Sequence, residues 1–296
     1  MLTARGPADV TVMGAGLTGA AAALELARAG IRVTLIDQDE RTMNRASLRN
    51  EGKIHLGFVF SQDLTAASSN IQLQGALRFR DILTRLIGDV MESLRLSHPF
   101  VYLVPEDSIA SPDELEGRFR RLEETYHEQL AAHESVDYFG RRPRSLSRRI
   151  PLSAVAEHIR PDRFIGAFQT EEVAIDTQQL ADIVQDAIVA HPNIDLLVRH
   201  TVKSVERVNG RFRIDGTSPD GTWELESGQV INALWENRFK IDRTVGLEHE
   251  AGWLHRLKYR VIARLPKVMQ DGPSTTLVVG PYGDVVVRPD ATAYFS

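Results

Sequence analysis

Residues 10–30, "VTVMGAGLTGAAAALELARAG", decide the fold. A run of β-formers ends at Met13, glycines follow at Gly14, Gly16 and Gly19, and a segment rich in alanine and leucine closes at Gly30. In the spacing G-x-G-x-x-G the first glycine permits a tight turn, the second lets backbone approach a pyrophosphate, and the third lets helix and strand pack closely. The helix tip, Ala15 to Gly19 with Leu17 and Thr18, then faces an anion with unpaired N–H groups and a positive dipole end. Residues 31–37 alternate towards a second strand, so the chain opens with one parallel β-turn-α-β unit. Asp37, with Gln38 beside it, ends that strand eighteen residues after Gly19. A carboxylate there accepts hydrogen bonds from ribose hydroxyls and repels a 2′-phosphate, which disfavours NADP. NAD and FAD both present an adenosine diphosphate to such a cradle, and this unit alone does not separate them.

A length of 296 residues exceeds the usual single hydrophobic core, so two domains are expected. The net charge of −5 gives no electrostatic reason to expect nucleic acid or an anionic membrane as a partner. With no cysteine, disulfides, thiolate metal sites, thiol nucleophiles and a cysteine-linked flavin are excluded. The nine histidines are scattered; His127 and His133 are six apart, which on a helix separates their faces, so no metal site is expected. The amino terminus does not read as a secretion signal, and no apolar run reaches the roughly 18 residues of a membrane helix. The expected location is the cytoplasm.

Along the chain, "KIHLGFVF" (53–60) reads as a strand and residues 62–87 as a helix broken at Gly75. "HPFVYLVPE" (98–106) reads as a strand bounded by prolines. Residues 113–132 place Leu115, Phe119, Leu122, Tyr126 and Leu130 on one helical stripe that reads as core. "RFIGAFQTEEVAID" (163–176) reads as paired short strands, and Asp176 with Gln179 as a capping box for a helix to Ala190. Strands follow over 194–208, 211–216 and 228–235, and the last fifty residues are mostly β.

"ASLRNEGKIHLG" (46–57) resembles the loop and strand that flavin oxidoreductases of the D-amino-acid oxidase superfamily place against the flavin side of their cofactor, glycine oxidase-like and L-2-hydroxyglutarate dehydrogenase-like members included. The resemblance recurs at "EEVAIDTQQLADIVQDAIVAHPNIDLLVRHTVKSVE" (171–206), where Val202 matches a valine that meets adenine through its backbone. It recurs again at "GQVINALWENR" (228–238), at the place of a "V-N-A-A-G" strand end. It implies an α/β fold: a Rossmann-like FAD-binding domain of the glutathione-reductase type, over 1–97 and 165–245, interleaved with a smaller α+β substrate domain over 98–164 and 246–296. It implies cofactor contacts from Arg45, Ser47, Arg49, Asn50, Gly52 and Lys53 besides the glycine turn, Asp37, Gln38 and Val202. Two departures stand out. Leu234, Trp235 and Glu236 replace small residues and glycine, so Trp235 reads equally as core or as a cofactor contact. The chain also ends without the later glycine-rich strand and helix of relatives, so it reads as a fragment, as a subunit completed by a partner chain, or as a protein with an incomplete cofactor site.

Flavin chemistry asks the protein for position and electrostatics. Lys53 and Arg49 are candidates for the N1 and O2 edge of the ring, with a pyrophosphate contact or a salt bridge as the alternatives. His55 reads as lining the flavin face, as a base, or as a half-buried structural histidine. Arg260 and Tyr259, with Tyr282 and Arg288, fall in the segment that the resemblance assigns to the substrate domain, where they would clamp a carboxylate. The resulting expectation is an FAD-dependent oxidoreductase taking a hydride from a small amine, amino acid or 2-hydroxy acid, working as a homo-oligomer or with a partner chain. The alternatives are an NAD-linked dehydrogenase and a dinucleotide-binding protein without turnover.

Overall fold

The computed structural model describes residues 8–90, 92–249, 252–253, 259–280, 283–288 and 290–296. In chain order the elements are β1 (Ala8–Met13), α1 (Leu17–Arg28), β2 (Val33–Ile36), β3 (Lys53–Ile54), α2 (Ala67–Ile87), β4 (Val101–Pro105), α3 (Pro112–Ala132), β5 (Ser147–Ile150), β6 (Phe164–Thr170) and β7 (Val173–Ala174). They continue with α4 (Thr177–Ala190), β8 (Ile194–Leu197), β9 (Thr201–Val208), β10 (Arg211–Ser218), β11 (Gly221–Asn232), α5 (Arg238–Thr244), β12 (Val261–Arg264), β13 (Thr275–Leu277), β14 (Asp284–Val287) and β15 (Thr292–Phe295). The chain divides into two discontinuous compact units, Met1–Asn50 with Thr177–Arg256 and Glu51–Asp176 with Leu257–Ser296.

The first unit is built on a six-stranded sheet in the order β8-β2-β1-β11-β10-β9. β8, β2, β1 and β11 run parallel, while β11, β10 and β9 form an antiparallel meander. All four residues of β2 are buried, as suits a central parallel strand covered on both faces. α1 buries Gly19, Ala20, Ala23, Leu24 and Ala27, a face of mostly small side chains that lets a helix approach a sheet closely. Met13, Ile36, Val202, Val205, Ile214, Trp223 and Ile241 form a core in which the meander packs with β1 and β2.

The second unit holds a seven-stranded sheet, β12-β15-β14-β13-β4-β6-β5, and a two-stranded sheet, β3-β7. Its core is aromatic. Phe119 meets Phe58 edge-on at 4.7 Å and Phe168 at 5.1 Å between ring centroids, geometry that favours the ring quadrupoles. α3 delivers Phe119 because its stripe falls as the spacing requires, with Leu115, Phe119, Leu122 and Tyr126 buried. A capping box of Ser111 and Glu114, with Pro112 in the first turn, fixes where it starts.

Four local expectations change. The strand over 53–60 stops at Ile54, because Gly57 takes φ +111° and passes against the backbone of Ser69; a short 3-10 turn follows. α2 is unbroken at Gly75, where a Cβ would meet nothing within 4 Å; one exposed glycine weakens a helix by only about 1 kcal/mol. β6 and β7 do not pair with each other, since β6 pairs with β4 and β5 while β7 pairs with β3. The chain passes between the compact units at 50–51, 176–177 and 256–257, where 97–98, 164–165 and 245–246 were expected, so the second unit is the larger. The cause is that β3, α2 and β7 pack on the aromatic core with Leu73, Ala76, Leu77, Val173 and Ala174.

Candidate functional site

In the first unit the carboxyl ends of β2, β1 and β11 lie side by side, with Met13 in register with Ile36 on one flank and Asn232 on the other. Leaving β1, Gly14 donates its N–H to the carbonyl of Ile36 at 2.8 Å and takes φ +96°. A Cβ on Gly14 would lie 2.6 Å from the carbonyl oxygen of Ala233, and one on Gly19 would lie 1.8 Å from that of Gly14. Neither position has room for a side chain. At Gly16 the nearest atom to an added Cβ would be the Ser47 hydroxyl at 3.2 Å, so the second glycine faces a side chain and not packed backbone.

The turn opens on a cleft of about 420 Å³. Gly14, Gly16, Leu17, Thr18, Gly19, Asp37, Gln38, Arg45 and Ser47 line it, together with Asp39, Asn44, Ala46 and the segment Ala233 to Asn237. Ala15 is buried beneath and donates its N–H to Asp37 Oδ2 at 2.7 Å. The Asp39 N–H reaches Asp37 Oδ1 at 2.9 Å. Burial pushes the Asp37 carboxyl above the usual carboxylate range, against the two N–H groups that pull it down. Each oxygen keeps a second acceptor site for a ligand hydroxyl.

The tip of α1 carries no acidic residue in its first turn, and Gly16 contributes no side-chain cap. The Leu17 N–H is met by the neutral hydroxyl of Ser47 at 2.8 Å. The positive end of the helix dipole is therefore not countered by a side-chain charge in its first turn, which is the condition for holding a phosphate. With Asp37 for a ribose and glycines where backbone must come close, the residues fit the adenosine diphosphate half of a dinucleotide.

The loop from 41 to 50 forms the opposite wall, and no local signal in the sequence shows how it is held. The Thr42 N–H and hydroxyl both donate to Gln185 Oε1, at 2.9 and 2.7 Å, and the Met43 N–H reaches the Ala15 carbonyl. Asn50 Nδ2 closes the loop on the carbonyls of Ala46 and Ser47. Arg45 lies on the rim, paired with Asp39 at 2.8 Å and Glu236 at 3.0 Å. Arg49 is exposed and does not line the cleft. Val202 is the second residue of the edge strand β9, with its side chain in the core, and the preceding segment runs beside Asp37, whose carbonyl accepts the His200 N–H at 2.8 Å.

The remaining candidates sit in the second unit, where Lys53 is corrected. Its side chain has no exposure, and Nζ lies 2.6 Å from the Thr276 hydroxyl, 2.9 Å from the Tyr102 hydroxyl and 3.0 Å from Glu172 Oε2. An ammonium enclosed in this way is a structural charge and not a phosphate contact. Burial alone would raise Glu172, but the charges of Lys53 and His55 and hydrogen bonds from Tyr102 and Lys53 hold it below the usual carboxylate range. Gly52, at φ +72°, gives its carbonyl to the Ile175 N–H, which is a contact of chain packing.

His55 is half-buried, with Nε2 3.8 Å from Glu51 and a buried Nδ1 that has no hydrogen-bond partner among the described residues. Tyr259 is 82% exposed, too open to solvent for an enclosed carboxylate clamp, whereas its neighbour Arg260 is half-buried. Arg260 instead bears on Tyr294, a residue that sequence reasoning missed. Burial and the Glu51 carboxylate push the Tyr294 hydroxyl up to about 12, with Arg260 acting in the other direction. Arg288 lies 5.9 Å from the Tyr294 ring centroid, and Tyr282 falls outside the described residues. Glu51, His55, Arg260 and Tyr294 therefore share one neighbourhood.

Residues 9–291 match the family model described as FAD dependent oxidoreductase. The chain belongs to that family. FAD is thus the dinucleotide of the two that the glycine turn left open, and the family's enzymes are oxidoreductases. The fold agrees. Iminodiacetate oxidase from Chelativorans sp. BNC1 superposes with a TM-score of 0.67 at 21% identity, covering 96% of this chain and 70% of that one. Glycine oxidase from Geobacillus kaustophilus gives 0.64 at 17% identity, covering 97% and 70%. Phytoene dehydrogenase from Streptomyces griseus is 49% identical over 53 residues, a match spanning 18% of this chain and 10% of that protein. No helix among the described residues is long and apolar enough to cross a membrane.

Proposed function

We propose that the chain holds FAD with its adenosine diphosphate in the first unit's cleft and oxidises a small amino acid or amine. The observation that carries this is the closed-and-open pattern of the glycine turn, with no room at Gly14 and Gly19, a lone hydroxyl at Gly16, and Asp37 tied to Ala15 beside them. Glycine and iminodiacetate, after which two structural neighbours are named as oxidases, are both nitrogen-bearing carboxylates, which favours the amino-acid branch over the 2-hydroxy acid.

Bound flavin supplies the acceptor for a hydride, two electrons with a proton, leaving the carbon next to nitrogen. The protein's part is to bind, orient and move the second proton. Arg260 and Arg288 offer cationic groups for the substrate carboxylate, while the Tyr294 hydroxyl donates its hydrogen bond to Glu51. His55 accepts the proton lost from nitrogen; the Glu51 carboxylate at 3.8 Å stabilises the imidazolium that results.

The test is anaerobic mixing of the purified, FAD-loaded protein with a panel of amino acids, secondary amines and 2-hydroxy acids, following flavin absorbance near about 450 nm. Bleaching by one amino-acid or amine class supports the proposal. A flavin that dithionite bleaches but no member of those two classes reduces contradicts it.

A further inference from the structure

Trp235 stands where the family resemblance leads to a small residue or glycine, and it is 84% exposed. Trp223, by contrast, is buried in the first unit's core, and Trp253 packs at a tilt against Phe239 at 5.1 Å between ring centroids. Trp235 lies on the wall of the cleft that holds the glycine turn. Its backbone has φ +24°, a conformation that a bulky residue rarely adopts. The segment is nonetheless fixed on both sides. Ala233 donates its N–H to Met13 at 2.8 Å, and Asn232 Oδ1 accepts the Leu234 N–H while its Nδ2 donates to Arg238 and Asp242. The Asn237 N–H returns to the Leu234 carbonyl at 2.8 Å. A strained, pinned backbone thus presents an indole to the cleft and not to the core.

We infer that Trp235 is an aromatic wall for the adenosine half of the dinucleotide, an inference that rests on the cofactor reading above. The side of the cleft follows from its neighbour. Glu236 pairs with Arg45, Arg45 grips Asp39, and the Asp39 N–H holds Asp37, the acceptor for the ribose. The rim carrying Trp235 is therefore tied to the ribose end of the cleft. Where small residues let backbone come close to a cofactor, the indole takes over with its π face, which stacks on a purine ring.

The experiment uses the full chain freed of flavin and measures the affinity of ADP, and separately of FAD, by titration calorimetry for wild type, W235F, W235L and W235A. Stacking predicts that W235A and W235L each bind ADP and FAD about tenfold more weakly while W235F stays within about threefold of wild type. The unfolding midpoint of the ligand-free chain should hold or rise in all three, since an exposed side chain on a strained backbone is being replaced. Unchanged ADP affinity in W235A overturns the inference, and so does W235L binding like wild type, which would reduce Trp235 to bulk. Weakening of FAD with ADP unaffected overturns the adenosine assignment. A wild-type chain that binds neither ligand fails at the earlier step and takes the cofactor reading down with it.

Discussion

Nζ of Lys53 lies 3.0 Å from Oε2 of Glu172, and neither side chain has any exposure to solvent. The other carboxylate oxygen of Glu172 accepts the Leu56 N–H at 2.6 Å, so this pair ties the residues after β3 into the second unit's core. Removing one partner strands a buried charge, and K53M is expected to destabilise the protein by about 3–5 kcal/mol. Asp284 lies 3.4 Å from the same Nζ, so urea unfolding of K53M is compared with a triple variant K53M/E172L/D284N, which should recover a substantial part of the loss because no lone charge remains.

The same pair sets a pH dependence. Glu172 is held below its ordinary value of 4.5 in the folded chain, so its contribution is fully present above that value and is lost as the pH falls through the depressed one. Unfolding midpoints measured across the acid range should fall more steeply in wild type than in E172Q. Parallel curves would show that another carboxylate governs acid unfolding.

The three glycines should separate by experiment. G19A forces a Cβ to 1.8 Å from a backbone oxygen and is expected to destabilise the first unit by about 1–3 kcal/mol or more, with loss of FAD. G16A meets only the Ser47 hydroxyl at 3.2 Å, so the chain should fold normally while FAD binds more weakly. Circular dichroism melts and flavin retention on the two variants distinguish these outcomes.

Asp37 must be ionised to accept from a ribose without giving up its own N–H contacts. D37N is expected to weaken FAD binding by about 1.5–3 kcal/mol, the range for a hydrogen bond to a charged group. Because burial raises the pKa of Asp37, wild-type affinity for FAD should begin to fall, on acidification, at a higher pH than an exposed carboxylate would give, and D37N should lack that limb. Fluorimetric FAD titrations over pH read both effects.

In the second unit, H55Q is expected to lower kcat by about 10²–10⁴ if His55 takes the proton, with little change in KM. R260M should raise KM for a carboxylate substrate, whereas Y259F, at an exposed position, should change neither parameter. Steady-state kinetics on the substrate that bleaches the flavin decide among these.

How much of this was legible in the sequence varies with the range of the interaction. The glycine turn, Asp37 and the stripe of α3 follow from local periodicity and short spacing, and the structure places each of them accordingly. The partner of Thr42 is Gln185, 143 residues away, and nothing local marks it. Lys53 falls in the stretch whose resemblance implies cofactor contacts, and no residue near it in sequence marks it as buried. Its acceptors, on β4, on β13 and just before β7, come together only when the sheets pack. Tyr259 and Arg260 illustrate a different limit: both precede β12 in irregular chain, where no period in the sequence says which side chain is covered.

The central claim is that the cleft over Gly14, Gly16 and Gly19 receives the adenosine diphosphate of FAD. Equilibrium dialysis of the flavin-free chain against FAD, with ADP as competitor, tests it most directly. The account predicts one FAD per chain, displaced by ADP in competition and lost in G19A. Saturating FAD that leaves no bound flavin, or bound flavin that ADP does not displace, would contradict it.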